Sequence, residues 1–243
     1  MFLIHMWLPR AHVEASTIRS IYLASVLLKL GLLGVFRLGF ILSSTTQCLL
    51  LSLLCLGGAC TSFICITLVD LKSIVAFSSI LHIAIPAAVM ISPRLTSSTL
   101  GLLILLGHGL ISPYIFFTLP HMYGIRTSRN ILMYRSGLRY NPIIIAPWAV
   151  ILLANLPAPP FISFLREVFM FHSLGATTFY SVRCVCFVFI FRGVLFCYLF
   201  SSTFHSDPLR YHPSPPTSPI TASFFLIRLL TLSSTIPFSY CLF

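Results

Sequence analysis

Seven apolar stretches dominate this chain, at approximately 20–43, 47–69, 73–92, 98–120, 142–172, 175–201 and 219–242. A helix needs about 20 mainly apolar residues to cross the hydrocarbon core of a bilayer, and each stretch is long enough. Alternation of apolar and polar residues is absent, and the runs are too long for barrel strands. Helices follow, because lipid offers the backbone no other hydrogen-bond partners. The expected fold is an all-α integral membrane bundle of about seven helices. Residues 1–243 form one membrane domain, with 1–19 as a leading segment and loop.

Charge content agrees. Only 8% of the 243 residues are charged and mean hydropathy is +1.00, with 58% hydrophobic residues. A soluble domain carries about 25% charged residues, so water would wet this chain poorly. The net charge of +11 arises because acids are scarce: Glu14, Asp70, Glu167 and Asp207 are the whole set. The basic residues are scattered rather than gathered into a phosphate-binding stripe, which argues against nucleic acid as a partner and leaves membrane lipid. The first ten residues lack the basic start and long apolar core of a cleavable secretory signal. Most of the eight cysteines lie inside apolar runs, and Cys184 and Cys186 have no second ligand pair at zinc-like spacing, so no metal is expected.

The fifth stretch is too long for one regular helix and contains Pro157, Pro159 and Pro160. Proline removes an amide and clashes with the preceding turn, so the expected element is a broken helix, about 142–155 and then 161–172. Broken backbone at membrane depth persists only where protein or a wet cavity surrounds it. Pro86 and Pro113 are candidate kinks in the third and fourth helices.

If the seven helices cross in turn, one side receives Arg10, Arg19, Lys72, Arg126, Arg129, Arg135, Arg139 and Arg210, and the other Arg94. This positive-inside bias puts the N-terminus on the matrix or cytoplasmic side. The segment 203–218, with His205, His212 and four prolines, reads as a polar connector.

The chemistry rests on charges that lipid disfavours. Two lysines stand against thirteen arginines, and Lys29 sits deep within an apolar run. A buried lysine exchanges protons where arginine stays charged, so Lys29 is either a structural charge or a proton carrier. His82 and His108 occupy the middles of adjacent helices. They either pass a proton through water or bond a neighbouring helix. Glu167 follows the proline break near the bilayer interior, with Arg166 beside it and Arg183 on the next helix. Reversible protonation and a structural ion pair are its two readings. Arg183, Arg192 and Arg228 are permanently charged and suit pairing, tuning or anchoring. Asp70 and Lys72 stand where the third helix begins, either as a cap and an interfacial anchor or as part of the chemistry.

These residues fall within recognisable motifs. His5-Met6-Trp7-Leu8-Pro9-Arg10-Ala11-His12-Val13-Glu14-Ala15, then Leu27-Leu28-Lys29-Leu30-Gly31 with Gly34 and Arg37, occur in order. Asp70-Leu71-Lys72-Ser73 through Ser78, Ser79 and His82 follows. Gly107-His108-Gly109-Leu110 with Ser112, and Ala154-Asn155-Leu156 with Pro159, Pro160 and Glu167, complete the series. The series resembles the C-terminal half of the chain 4 family of mitochondrial NADH–ubiquinone oxidoreductase (respiratory complex I). Those proteins are antiporter-like, proton-translocating subunits related to subunits of cation/proton exchangers. The last two helices match in placement more than in sequence. Ser16 stands where the family has proline, and Arg166 where it has glycine.

The resemblance implies a proton pathway of Lys29, His82, His108 and Glu167, with His5, His12, Glu14, Asp70 and Lys72 supporting it. It implies that flavin, iron–sulfur clusters and ubiquinone belong to other subunits, with no cofactor in this chain. Other membrane-arm subunits are the expected partners. The family's proteins carry further helices before the point where this match begins, and a separate chain is the expected source of them. The expected location is the mitochondrial inner membrane, with the N-terminus on the matrix side. A cation/proton exchanger subunit and a non-catalytic membrane scaffold are the alternatives.

Overall fold

A computed structural model describes residues 6–39, 41–91, 95–126, 128–131, 142–156 and 179–204, with 158, 161, 163–164, 167–169 and 171. Helix α1 runs Trp7–Glu14. Helix α2 (Thr17–Tyr22) passes through a π-helical turn (Leu23–Leu27) into α3 (Leu28–Gly39). Then come α4 (Ser44–Thr67), α5 (Leu71–Ile91), α6 (Leu95–Arg126), α7 (Pro142–Asn155) and α8 (Phe179–Phe204). Among the described residues, five spans are long and apolar enough to cross a membrane, and Ala146–Asn155 is a shorter apolar helix. The stretch 219–242, the connector with His205 and His212, and the breaking prolines 157, 159 and 160 lie outside the described residues.

The leading segment differs from the expected loop, because residues 7–14 are helical. Pro9 falls in the first turn, where the missing amide breaks no intrahelical bond. Leu8, Pro9 and His12 are buried on one face, and Ala15 ends the helix in extended conformation, with ψ at 148°.

Helix α5 is the axis of the bundle: its membrane window is 94% buried, against at most 39% for the other spans. A helix apolar all round and buried all round has protein on every side. Lipid tails are as apolar as leucine, so helices associate in a membrane through close packing rather than escape from water. Gly58 lets α4 approach α5 and α8: a Cβ there would meet Leu81 Cδ1 and Val188 Cγ1 at 3.3 Å. At Gly101 of α6 a Cβ would stand 2.6 Å from Met90 Cγ and 3.3 Å from the Pro86 carbonyl. Helices α5 and α6 stay helical through Pro86, Pro113 and Pro120.

The helix formed by α2 and α3 flanks this core, with 22% of its window buried. Ala24, Leu28, Lys29 and Leu32 turn inward. Ile18, Tyr22, Val26, Leu30 and Leu33 form an exposed apolar stripe at helical spacing.

One end of the bundle gathers several loops. Asp70 pairs with Asn130 in an isolated antiparallel bridge, through Leu71 N–H to Arg129 O at 3.0 Å and Ile131 N–H to Val69 O at 2.8 Å. Lys72 Nζ donates to Ala15 O at 2.7 Å and Val13 O at 3.3 Å. The end of α1, the start of α5 and the segment after α6 therefore share one end, as helices crossing in turn require.

Candidate functional site

The site begins with a defect in a helix. The Leu28 amide donates back five residues to Leu23 O, so the Ala24 carbonyl that it would cap in a regular α-helix is released. Lys29 Nζ donates to Ala24 O, and Ser112 Oγ of α6 donates to the same oxygen at 3.4 Å. Lys29 Nζ also lies 3.4 Å from Ser112 Oγ. Lys29 is thus buried, only 8% exposed, with its amine held by neutral oxygens of two helices. Gly109 makes room for its stem, since a Cβ there would meet Lys29 Cε at 3.3 Å.

One residue before Gly109, His108 faces His82 of α5 in a stack with ring centroids 5.3 Å apart and planes 17° apart. Both rings are buried. His108 Nδ1 has no hydrogen-bond partner among the described residues. Because His108 and Ser112 are four residues apart, they sit on one face of α6. That spacing brings the lysine and the histidine pair into one row.

Glu167 closes the row. Arg192 of α8 donates through Nη1 to Glu167 Oε1 and through Nη2 to the carbonyl of Asn155, the last residue of α7. The guanidinium thereby satisfies both the carboxylate and a backbone oxygen that the end of α7 leaves without a helical partner. Ser163 Oγ adds a bond to Ala154 O at 3.0 Å. His82, His108, Asn155, Ser163, Glu167 and Arg192 line one cavity of about 30 Å³. That is space for roughly one or two waters among groups able to bond them.

The structure therefore brings Lys29, His82, His108 and Glu167 together from α3, α5, α6 and the segment after α7. The supporting residues divide. His12 is fully buried at the end of α1, stacked on Phe116 of α6 with centroids 4.5 Å apart. Burial holds its imidazole down to about 4, helped by the charges of Lys72 and then Lys29. Lys72 is 5% exposed and ties α1 to α5, so it is an internal tether rather than an interfacial anchor. Asp70 and Glu14 are exposed, Asp70 directly before the first residue of α5. His5, Arg166 and the Arg183 side chain lie outside the described residues.

Arg192 takes the pairing role that its permanent charge suits, with Glu167 as the acid. Two further participants, Ser112 as a partner of the lysine and the Ala24 carbonyl, are given no role by the residues alone. Ser112 carried a weak signal, one helical turn beyond His108. The Ala24 carbonyl carried none, because side chains do not announce a π turn.

A bundle of apolar helices enclosing a lysine, two histidines and an arginine-paired glutamate defines a multi-pass membrane protein with titratable side chains buried at its core. Comparison gives the family: the transmembrane-domain model of the NADH:quinone oxidoreductase/Mrp antiporter family matches residues 1–196, and the chain belongs to that family. It is 31% identical over 208 residues to NADH-ubiquinone oxidoreductase chain 4 of Locusta migratoria, covering 84% of this chain and 47% of that one. Chain 4 of Aedes aegypti is 33% identical over 212 residues, covering 84% and 46%. The chain spans about half the length of these curated relatives. Its fold resembles a chain of Thermus thermophilus respiratory complex I with a TM-score of 0.78 at 20% identity, covering 95% of this chain and 50% of that one. A chain of the Mrp complex of Dietzia sp. scores 0.74 at 18% identity, covering 87% and 40%.

Proposed function

We propose that this chain is the C-terminal part of chain 4 of a mitochondrial respiratory complex I, and that it carries protons within the membrane arm. Family membership and the names of its relatives support the assembly. The observation that carries the pathway is the stacked His82–His108 pair, with Lys29 on one side and the Glu167–Arg192 pair on the other.

Each member suits the work. A neutral amine keeps two N–H donors and an ammonium has three, so Ala24 O and Ser112 Oγ can hold Lys29 in either state. A neutral imidazole offers one donor and one acceptor, so each histidine can take a proton at one nitrogen and give one at the other. The cavity is polar enough to hold the intervening water. A proton arriving at Glu167 cancels the charge that Arg192 holds. The guanidinium stays protonated and keeps its bond to Asn155 O, so it stays in place whichever state the carboxyl is in.

NADH oxidation and ubiquinone reduction belong to other subunits on this reading, with flavin and iron–sulfur clusters, and this chain holds no redox site. Its partners are membrane-arm subunits, lipid, and a separate chain supplying the preceding helices. The exposed stripe Ile18, Tyr22, Val26, Leu30 and Leu33 suits such helices. The protein is placed in the inner membrane with its N-terminus on the matrix side, the side that receives the loop arginines.

The test is proton translocation per NADH in sealed membrane vesicles carrying His108→Phe or Glu167→Gln in an assembled complex. A fall in both is expected, and an unchanged ratio in both would contradict the pathway. Sodium-dependent proton movement without NADH would assign the chain to an exchanger instead.

A further inference from the structure

Away from the polar row, helices α3, α4 and α5 enclose a cleft of about 450 Å³ lined only by glycine, alanine, valine, leucine and isoleucine among the described residues. It follows α5 from Ile80 to Ile91, about 16 Å of helix. Half of a bilayer's hydrocarbon core is about 15 Å thick, so the cleft is as deep as one leaflet. Helix α5 starts at the end tied by Lys72, and Ile91 therefore lies at the opposite end. The lining passes from Ile80 and Ile83, both buried, to Leu38, which is 59% exposed, so the cleft opens toward that opposite end.

One wall is kept open by a glycine that no packing contact requires. Gly31 of α3 borders the cleft, and a Cβ there would meet nothing within 4 Å. Gly58 on the α4 wall differs, since a Cβ there would meet Leu81 and Val188 at 3.3 Å. Glycine weakens a helix interior relative to alanine, so what Gly31 contributes is space. Water does not settle where no polar group can bond it. A helix is too wide: the cleft averages roughly 30 Å² in cross-section, against about 80 Å² for a helix 10 Å across. A single hydrocarbon chain is narrow enough, and the surrounding lipid supplies one.

The open end is polar. Ser43, Thr46 and Gln47 precede Leu50 and Leu54 on the same face of α4, and both leucines line the cleft. The hydroxyls of Ser43 and Thr46 are exposed and 3.2 Å apart. Arg37 stands beside Leu38 in the last turn of α3, exposed, and no carboxylate pairs with it among the described residues. An arginine at the edge of the hydrocarbon finds its anion in a lipid phosphate, which its planar fork fits. We propose that the cleft holds one acyl chain of a phospholipid with a negative headgroup, whose phosphate meets Arg37 and the hydroxyls at the start of α4. The chain lies in the leaflet away from the end closed by Lys72, and it completes the packing of α3 against α4 and α5.

The experiment places the complex containing this chain in phosphatidylcholine vesicles with a trace of phosphatidylglycerol that carries a photoreactive diazirine at the end of one acyl chain. After illumination, peptide mapping locates the label. Label is expected on Gly57, Ile80 and Ile83, which are buried, at least as strongly as on Leu56, which faces outward at the same depth. Gly31→Leu fills the cleft without striking a described neighbour, so it should remove the buried label and spare that on Leu56. Arg37→Gln should lower the buried label roughly five-fold, with most of it regained in Arg37→Lys. Label confined to Leu56 and other outward residues in the wild type overturns the proposal and leaves the cleft to another chain of the complex. Undiminished buried label in Gly31→Leu overturns it too. Undiminished label in Arg37→Gln marks an apolar chain held without its headgroup and overturns the phospholipid. Should Gly31→Leu fail to assemble, the wild-type pattern and the two Arg37 variants decide.

Discussion

Arg192 binds Glu167 across 25 residues of sequence and the gap between α7 and α8. The same guanidinium takes the Asn155 carbonyl, so one cation fixes both the acid of the row and the end of the helix before it. Removing one partner of a buried pair strands the other in a place where it cannot be solvated. Arg192→Gln is expected to cost about 3–5 kcal/mol and to lower the yield of assembled complex on native gels. Arg192→Lys should recover part of it, because a single ammonium lacks the fork that reaches two oxygens.

Gly109→Ala separates the row from helix stability. Alanine improves an interior helix position by about 1 kcal/mol over glycine, so thermal inactivation of the complex should be no faster. Its methyl would meet Lys29 Cε at 3.3 Å and push the amine off Ser112. Proton translocation is expected to fall in the alanine variant and further in Gly109→Val. Equal rates in all three would mean that the position of Lys29 does not matter.

Lys72→Met keeps the stem and removes the two bonds to Val13 O and Ala15 O. Hydrogen bonds from a charged donor contribute about 1.5–3 kcal/mol, and α1 depends on these for its hold on α5. Hydrogen exchange at residues 13–20 should quicken in this variant while the interior of α5 stays protected. An unchanged exchange pattern would remove the tether.

The pH dependence of α1 follows from His12. Docked, its imidazole is held at about 4 rather than 6.5, by burial first and by Lys72 and Lys29 after it. Undocked, it titrates normally. Between about 6.5 and 4 the undocked state binds more protons, so docking weakens as pH falls and strengthens as it rises. Exchange at α1, corrected for intrinsic rate, should therefore increase from pH 7 to pH 5. His12→Gln should flatten that dependence.

How much of this could be read from residues alone depends on the kind of contact. The spans were legible because apolar length is a local property, and Lys29, His82, His108 and Glu167 stood out because each is a costly group in an apolar setting. Their convergence follows from which helices pack together, and no single helix encodes that. Arg166 and Arg183 are nearer to Glu167 in sequence, yet α8 brings Arg192 to it. Helix α1 was hidden by its brevity and by Pro9, which suggests a break to anyone unable to see that it lies in the first turn. The π turn before Lys29 was invisible, because tertiary packing rather than residue preference selects it.

Whether Lys29 gives and takes a proton is tested most directly by Lys29→Arg. Arginine keeps a positive charge at the same place and can bond Ala24 O and Ser112, but it does not release its proton. In sealed vesicles with assembled complex, proton translocation by Lys29→Arg is predicted to fall as far as that of Lys29→Ala, roughly ten-fold or more. Wild-type translocation in Lys29→Arg, beside a loss in Lys29→Ala, would show that the site needs a fixed charge and that Lys29 carries no proton.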